Sequence, residues 1–361
     1  MKCWFFPEVR VPANCRSADE RHCTSAGRGY IVTDMKIAML QMNSMIADFA
    51  GNARTVLDLA RHAEKAGAEL AVCPELCLTG YPPLDLLDYD RFVEDCLKQV
   101  RLIQREAPAE LGLIIGYIDR NRSGHGKSLV NTAALIHQGK IQFSQQKTLL
   151  PTYDVFDESR YFEPAAERKT FVFKNTRIGI AICEDIWWEQ ERSGNSQYPI
   201  DPVKELLDQG TELLVVPSAS PFYSGKPAVR LALLKDLHRV SGIPICYVNL
   251  VGGNDSLIFD GQSLYISAAG ELEALGKGFE EDMILVETGQ NGKPLDLPDQ
   301  KWLELEQALV LGIRDYLHKC GFSHAHLGLS GGIDSALVAM LATLALGKEN
   351  VTAFSLPSRY S

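Results

Sequence analysis

No stretch of the 361-residue sequence approaches the roughly 18–20 uninterrupted apolar residues that a membrane-spanning helix needs; the richest run, 327–346, carries polar interruptions. Positive charge is also in short supply, with 36 Lys and Arg against 46 Asp and Glu and a formal net charge of -10. That balance speaks against a nucleic-acid binder, which concentrates basic side chains to displace counterions from phosphates. Metal-ligand spacing is missing as well: nine cysteines are scattered along the chain, and the pair Cys73 and Cys77 has no second pair or His-x-His to complete a ligand set. Cys73 and Cys77 therefore read as buried core thiols, and unpaired thiols throughout suit a reducing cytoplasm. No internal repeat is visible. Residues 1–34 lack hydrophobic periodicity and lack the apolar centre of a secretion signal, so they read as a disordered N-terminal extension, with the fold opening at Met35.

What is present is a chain with 46% hydrophobic residues, enough for one large or two smaller cores. Strand-like runs at 35–40, 69–73, 111–118, 129–137, 141–145, 171–173, 178–183, 213–217, 245–251 and 263–267 alternate with helical spacing over 52–67, 90–105 and 228–241. This alternation predicts a layered α/β architecture. Gln138-Gly139-Lys140 suits a hairpin turn between two of the strands. Polar and Gly/Pro-containing residues then predict a linker over 289–300, after which Trp302–Lys319 resumes a helical pattern that opens a second domain.

Three apolar runs end in reactive-type side chains: Cys73-Pro74-Glu75, Gln146-Lys147-Thr148 and Ile182-Cys183-Glu184. A thiol needs a base to become a good nucleophile, and an attacked amide needs a cation or N–H groups to hold the oxyanion. Taken singly, most cysteines are core groups and most Glu and Lys lie on the surface. Their contexts alter that: Pro74-Glu75-Leu76-Cys77-Leu78-Thr79-Gly80-Tyr81-Pro82-Pro83, then Lys147 before Leu149-Leu150-Pro151-Thr152-Tyr153-Asp154-Val155-Phe156-Asp157-Glu158, then Cys183-Glu184-Asp185-Ile186-Trp187.

In this order the strings resemble the nitrilase superfamily over residues 35–288, and within it the glutaminase domains of the glutamine-dependent NAD synthetase family. The resemblance implies a four-layer α-β-β-α sandwich of α/β class. It implies that Glu75 is the general base, Lys147 the oxyanion-stabilising cation, Cys183 the nucleophile and Glu158 a supporting acid near Lys147. It further implies glutamine contacts at Tyr81, Tyr153, Ser220 and Lys226, the last two set by gap placement across an apparent insertion, Glu189–Pro202. The bland reading of the two tyrosines is ordinary packing.

A second motif, Leu327-Gly328-Leu329-Ser330-Gly331-Gly332-Ile333-Asp334-Ser335, leads into the helical stretch Ala336–Ala345. Glycines at a strand-to-helix turn let backbone N–H groups approach an anion, so phosphate is the expected guest. The Walker pattern is absent. The motif resembles the pyrophosphate loop of adenylating ATP pyrophosphatases, whose domain is adenine-nucleotide α-hydrolase-like, a Rossmann-like α/β fold. Gly328 to Ser335 would hold ATP, with Ser330, Gly331, Gly332 and Ser335 on the pyrophosphate and Asp334 a ligand of Mg²⁺. Phe354–Ser361 extends the same resemblance. The combination implies glutamine, ATP and nicotinic acid adenine dinucleotide as substrates, and self-association into a homo-oligomer. The second domain reads as an opening fragment, which would leave at most the glutamine-hydrolysing step. A free-standing amidase and a catalytically idle scaffold are the alternatives.

Overall fold

The computed structural model describes residues 34–187, 198–290 and 292–356. Residues 1–33, most of the Glu189–Pro202 insertion and the tail Pro357–Ser361 lie outside them, so the readings made there find no counterpart. In chain order the elements are β1 (Lys36–Gln41), α1 (Phe49–Lys65), β2 (Leu70–Val72), α2 (Asp90–Glu106), β3 (Gly112–Arg120), β4 (Leu129–His137), β5 (Lys140–Gln146) and the single turn α3 (Glu158–Tyr161). There follow β6 (Thr170–Phe173), β7 (Thr176–Ile180), α4 (Pro202–Asp208), β8 (Leu213–Ser218), α5 (Lys226–Ser241), β9 (Ile245–Asn249), β10 (Val251–Asn254), β11 (Leu257–Asp260), β12 (Leu264–Ile266), β13 (Leu272–Leu275) and β14 (Asp282–Glu287). The last group is α6 (Lys301–Lys319), β15 (Ala325–Gly328), α7 (Ile333–Leu346) and β16 (Val351–Phe354).

Two six-stranded sheets form, in the orders β14-β1-β2-β3-β4-β5 and β13-β12-β9-β8-β7-β6. Period-2 alternation sorts their side chains into three layers of core. Ile37, Met39, Leu70 and Val72 of the first sheet meet Ile178, Ile180, Leu213 and Val215 of the second between the sheets. Ala38, Leu40 and Ala71 face outward onto Val56, Ala60, Val93 and Val100 of α1 and α2. Leu214 and Val216 face outward onto Val203, Leu206, Leu233 and Leu234 of α4 and α5. The central strands of both sheets are apolar on both faces because both faces are covered, giving a four-layer α-β-β-α sandwich.

The Gln138-Gly139 turn has positive φ at both residues, +50° and +73°, the geometry that matches the twist of the β4–β5 hairpin. The sequence suggested one strand over 245–251, but the chain leaves the sheet after Asn249. Leu250 N–H still bonds to Ser218 O, and Gly252 at φ +120° sends β10 into a separate pair with β11. Sequence reading also passed over β14, which pairs antiparallel with β1 from Lys36 opposite Glu287 to Gln41 opposite Asp282.

The helix α6 docks on β10 and β11 through Ala308 and Leu311, which pack with Val251 and Phe279. Its last turn adds a polar clasp: Lys319 Nζ donates to Asn43 Oδ1 (2.6 Å), Asn254 Oδ1 (2.8 Å), Gly253 O (3.0 Å) and Ser44 O (3.2 Å). Beyond it, β15 and β16 pair in parallel, and α7 buries Leu341, Ala342, Ala345 and Leu346 while Ile333, Leu337, Val338, Met340 and Leu344 stay exposed.

A buried ion pair joins α5 to the end of β11: Arg230 and Asp260 are both 0% exposed and bond through Nη1 (3.0 Å) and Nη2 (2.9 Å). Removing one partner of such a pair strands the other charge away from water. Arg230→Met should therefore lower unfolding free energy by about 3–5 kcal/mol in urea denaturation. A loss below about 1 kcal/mol would mean that Asp260 is neutral or finds water when Arg230 is gone.

Candidate active site

Glu75 follows β2 and Lys147 follows β5 of the first sheet, whereas Cys183 follows β7 of the second. Glu75 is buried, and Gly116 on β3 leaves room for the backbone around it: a Cβ at 116 would stand 2.5 Å from both Leu76 N and Pro74 O. Three donors converge on its carboxylate. Lys147 Nζ and Asn131 Nδ2 each donate to Oε1 at 2.7 Å, and the Ala219 N–H donates to Oε2 at 3.0 Å.

Lys147 is equally buried and donates also to Glu158 Oε1 at 2.7 Å, an oxygen that accepts the Tyr81 hydroxyl at 2.7 Å as well. Burial by itself would push the Lys147 ammonium down, but the Glu158 and Glu75 carboxylates outweigh it and hold the group well above the ordinary lysine range. Burial pushes the Glu158 carboxyl up, with Glu75 adding like-charge repulsion against the pull of Lys147 and Tyr81. One ammonium thus serves two carboxylates.

Cys183 opens a single 3₁₀ turn, Cys183–Ile186, at φ +47°. The sequence suggested a strand running through Cys183; β7 instead ends at Ile180, and the left-handed backbone at 183 breaks the extended geometry. Such a conformation at a non-glycine residue is strained and concentrates at functional sites. Burial pushes the Cys183 thiol well up, Glu75 adds to the effect and Lys147 opposes it. A thiol pushed this way needs a base before it can attack. Ala219 N–H, already a donor to Glu75, lies against the same sulfur.

Around this centre the Tyr153 hydroxyl donates to Glu184 Oε1 at 2.9 Å, and Tyr198 donates to the same oxygen at 3.2 Å. Lys226 Nζ sits 3.8 Å from the centre of the Trp187 ring, and burial, with Arg230 nearby, lowers its ammonium to about 8. Ser220 is buried, and Asn249 clamps its backbone by accepting from its N–H (2.9 Å) and donating to its carbonyl (3.4 Å). The first motif set is therefore brought together around one thiol, one ammonium and two carboxylates.

The Gly328–Ser335 motif forms a separate, exposed loop between β15 and α7, tied by Ser330 Oγ to Ser335 Oγ (3.1 Å), Gly332 N–H to Ser330 Oγ (3.3 Å) and Leu329 N–H to Phe354 O (2.8 Å). Gly331 has φ +87°, which glycine adopts freely, and Asp334 and Ser335 lie in the first turn of α7. Among the described residues no group of three or more His, Cys, Asp or Glu side chains is placed to hold a metal ion.

Reading the sequence alone missed Asn131, Ala219 N–H, Asn249 and the role of Asp185, whose buried carboxylate accepts three backbone N–H groups. Glu184 and Asp185 had a signal, their place directly after Cys183, whereas Asn131 sits unmarked in an apolar strand.

A carbon-nitrogen hydrolase family model matches residues 36–291, and a NAD synthase model matches residues 305–361. The glutamine-dependent NAD(+) synthetase of Synechocystis sp. is 44% identical over 337 residues, covering 90% of this chain and 60% of that protein. That of Thermotoga maritima is 34% identical, covering 91% of this chain and 61% of its own length. Among solved structures, the glutamine-dependent NAD+ synthetase of Acinetobacter baumannii in complex with ADP superposes with a TM-score of 0.80 at 32% identity, covering 91% of this chain and 60% of that one. An amidase of the nitrilase superfamily from Nesterenkonia shares the fold at a TM-score of 0.59 and 24% identity, covering 75% of this chain and 93% of that one. The chain thus spans about three fifths of the length of the curated relatives it matches.

Proposed function

Because the chain belongs to the carbon-nitrogen hydrolase family, we propose that residues 35–288 hydrolyse the side-chain amide of glutamine and that the ammonia serves ATP-dependent amidation of nicotinic acid adenine dinucleotide to NAD. The observation that carries the reading is the buried Lys147 ammonium bonded at 2.7 Å to both Glu75 and Glu158, with Cys183 opening the turn after β7 at φ +47°. Glu75 takes the Cys183 proton as the sulfur attacks the amide carbon, and Lys147 holds the oxyanion. Collapse breaks the C–N bond, Glu75 returns the proton to the departing ammonia, and water then cleaves the glutamyl thioester to glutamate. Tyr81 orients Glu158 and, with Tyr153, Ser220 and Lys226, contacts the substrate.

In the same reading residues 289–300 link this unit to residues 301–361, the opening of a synthetase domain whose loop from Gly328 to Ser335 takes the pyrophosphate of ATP. The positive-φ glycine and the helix N-terminus suit phosphate. Asp334 would supply one carboxylate for Mg²⁺, which would neutralise charge on the phosphates. The protein works in the cytoplasm as a homo-oligomer. The test is ammonia release by the 361-residue chain from glutamine against other small amides. Glutamine-selective release supports the reading; equal release from unrelated amides makes the protein a general amidase, and none at all rejects an independent glutaminase.

A further inference from the structure

Lys147 and Cys183 leave different sheets, and the core packed between those sheets is built of apolar and aromatic side chains, Ile, Val, Leu and Met foremost. Apolar contact is non-directional, so it does not by itself fix how one sheet end sits against the other. An oxyanion cation, however, has to be placed within about 1 Å of its working position relative to the nucleophile. The Glu75 bond to Ala219 N–H (3.0 Å) crosses between the sheets but reaches the end of β8, so something directional must still join the segment that carries Lys147 to the turn that carries Cys183.

Resting on the reading above, we propose that Asp185 is that tie: a positioning residue whose carboxylate fixes the separation of Lys147 from Cys183. Its Oδ1 accepts from Thr148 N–H (3.0 Å) and Leu149 N–H (2.7 Å), the two residues after Lys147. Its Oδ2 accepts from Ile182 N–H (2.9 Å), the residue before Cys183. The side chain is 2% exposed, so no water competes for these donors. The segment it holds has left the first sheet, since β5 ends at Gln146, and the turn it holds has left the second, since β7 ends at Ile180. The backbone bonds that continue past these strand ends, Lys147 N–H to Asn131 O (2.8 Å) and Ala181 N–H to Val215 O (3.1 Å), hold each segment to its own sheet and do not join the two. Asp185 touches none of the reacting groups through its bonds; it acts through the two backbones it joins.

Asparagine tests this with almost no change of volume. It has one acceptor oxygen, so if Oδ1 keeps Thr148 and Leu149, its NH₂ faces the Ile182 N–H donor to donor. For Asp185→Asn we expect kcat for glutamine to fall at least about 30-fold while KM stays within about 2-fold. Iodoacetamide needs the thiol but no oxyanion support, and should alkylate Cys183 within about 3-fold of the parent rate. Hydrogen exchange should speed up together at residues 147–150 and 181–184 and stay unchanged in α1 and α2. Asp185→Ser, which opposes no donor and leaves room for water, gives the same pattern in milder form and serves if the asparagine variant does not fold. A kcat within about 2-fold of the parent, a matching loss of alkylation, or faster exchange in only one segment overturns the tie. If the parent releases no ammonia, the glutaminase reading fails on its own account, and the paired exchange still decides whether Asp185 joins the two segments.

Discussion

Replacing Cys183 by alanine abolishes ammonia release from glutamine and leaves the sandwich folded. The first half follows from the chemistry: without sulfur no thioester forms, and neither Glu75 nor Lys147 can replace a covalent step. The second follows from the position. Cys183 makes its turn at φ +47°, a conformation alanine adopts at comparable strain, and the surrounding backbone is held by Asp185 rather than by the thiol. Cys183→Ser separates nucleophilicity from geometry, because it keeps a donor of similar size while the hydroxyl ionises far less readily than a thiol. It should also lose nearly all turnover, since burial already pushes the thiol up and a hydroxyl would start higher still. Ammonia release and thermal unfolding, measured side by side, check both. Turnover in Cys183→Ala within about 100-fold of the parent would remove the nucleophile from the proposal.

The motif strings made the three reactive positions legible because each stands at the end of an apolar run, and strand ends are where a layered α/β protein exposes its working groups. The supports of those positions were not. Asn131 lies within an apolar strand and bonds to Glu75 across 56 residues of sequence. Arg230 lies on a helix whose pattern reads as half solvated, yet it is fully buried because Asp260, 30 residues away, neutralises it. Likewise β14 carries an ordinary mix of residues, and what makes it a strand is its pairing with β1, about 245 residues earlier in the chain. Local pattern records which face of an element is apolar; it holds no record of which distant element will supply the partner. Asp185 was readable as a letter of a motif and unreadable as a tie between sheets, since its three donors come from two segments that meet only in the fold.

Lys147→Ala should lower kcat for glutamine by at least about 100-fold, the usual consequence of removing one oxyanion stabiliser. Two effects act in the same direction. The oxyanion loses a cation that the carboxylates hold charged well above the ordinary range, in a site that excludes water and so magnifies its field. In addition, Glu75 and Glu158 lose the single ammonium that bridges them at 2.7 Å each. Two carboxylates left in one buried space relieve their repulsion by holding a proton between them, as paired acids do in other active sites. A base that shares a proton can no longer take one from Cys183. Lys147→Met, which preserves the packed stem, tells the two contributions from mere loss of volume: it should be nearly as impaired as alanine but more stable in urea. A kcat within about 10-fold of the parent in the methionine variant would place oxyanion support elsewhere and leave Lys147 only a structural counter-ion for the two acids.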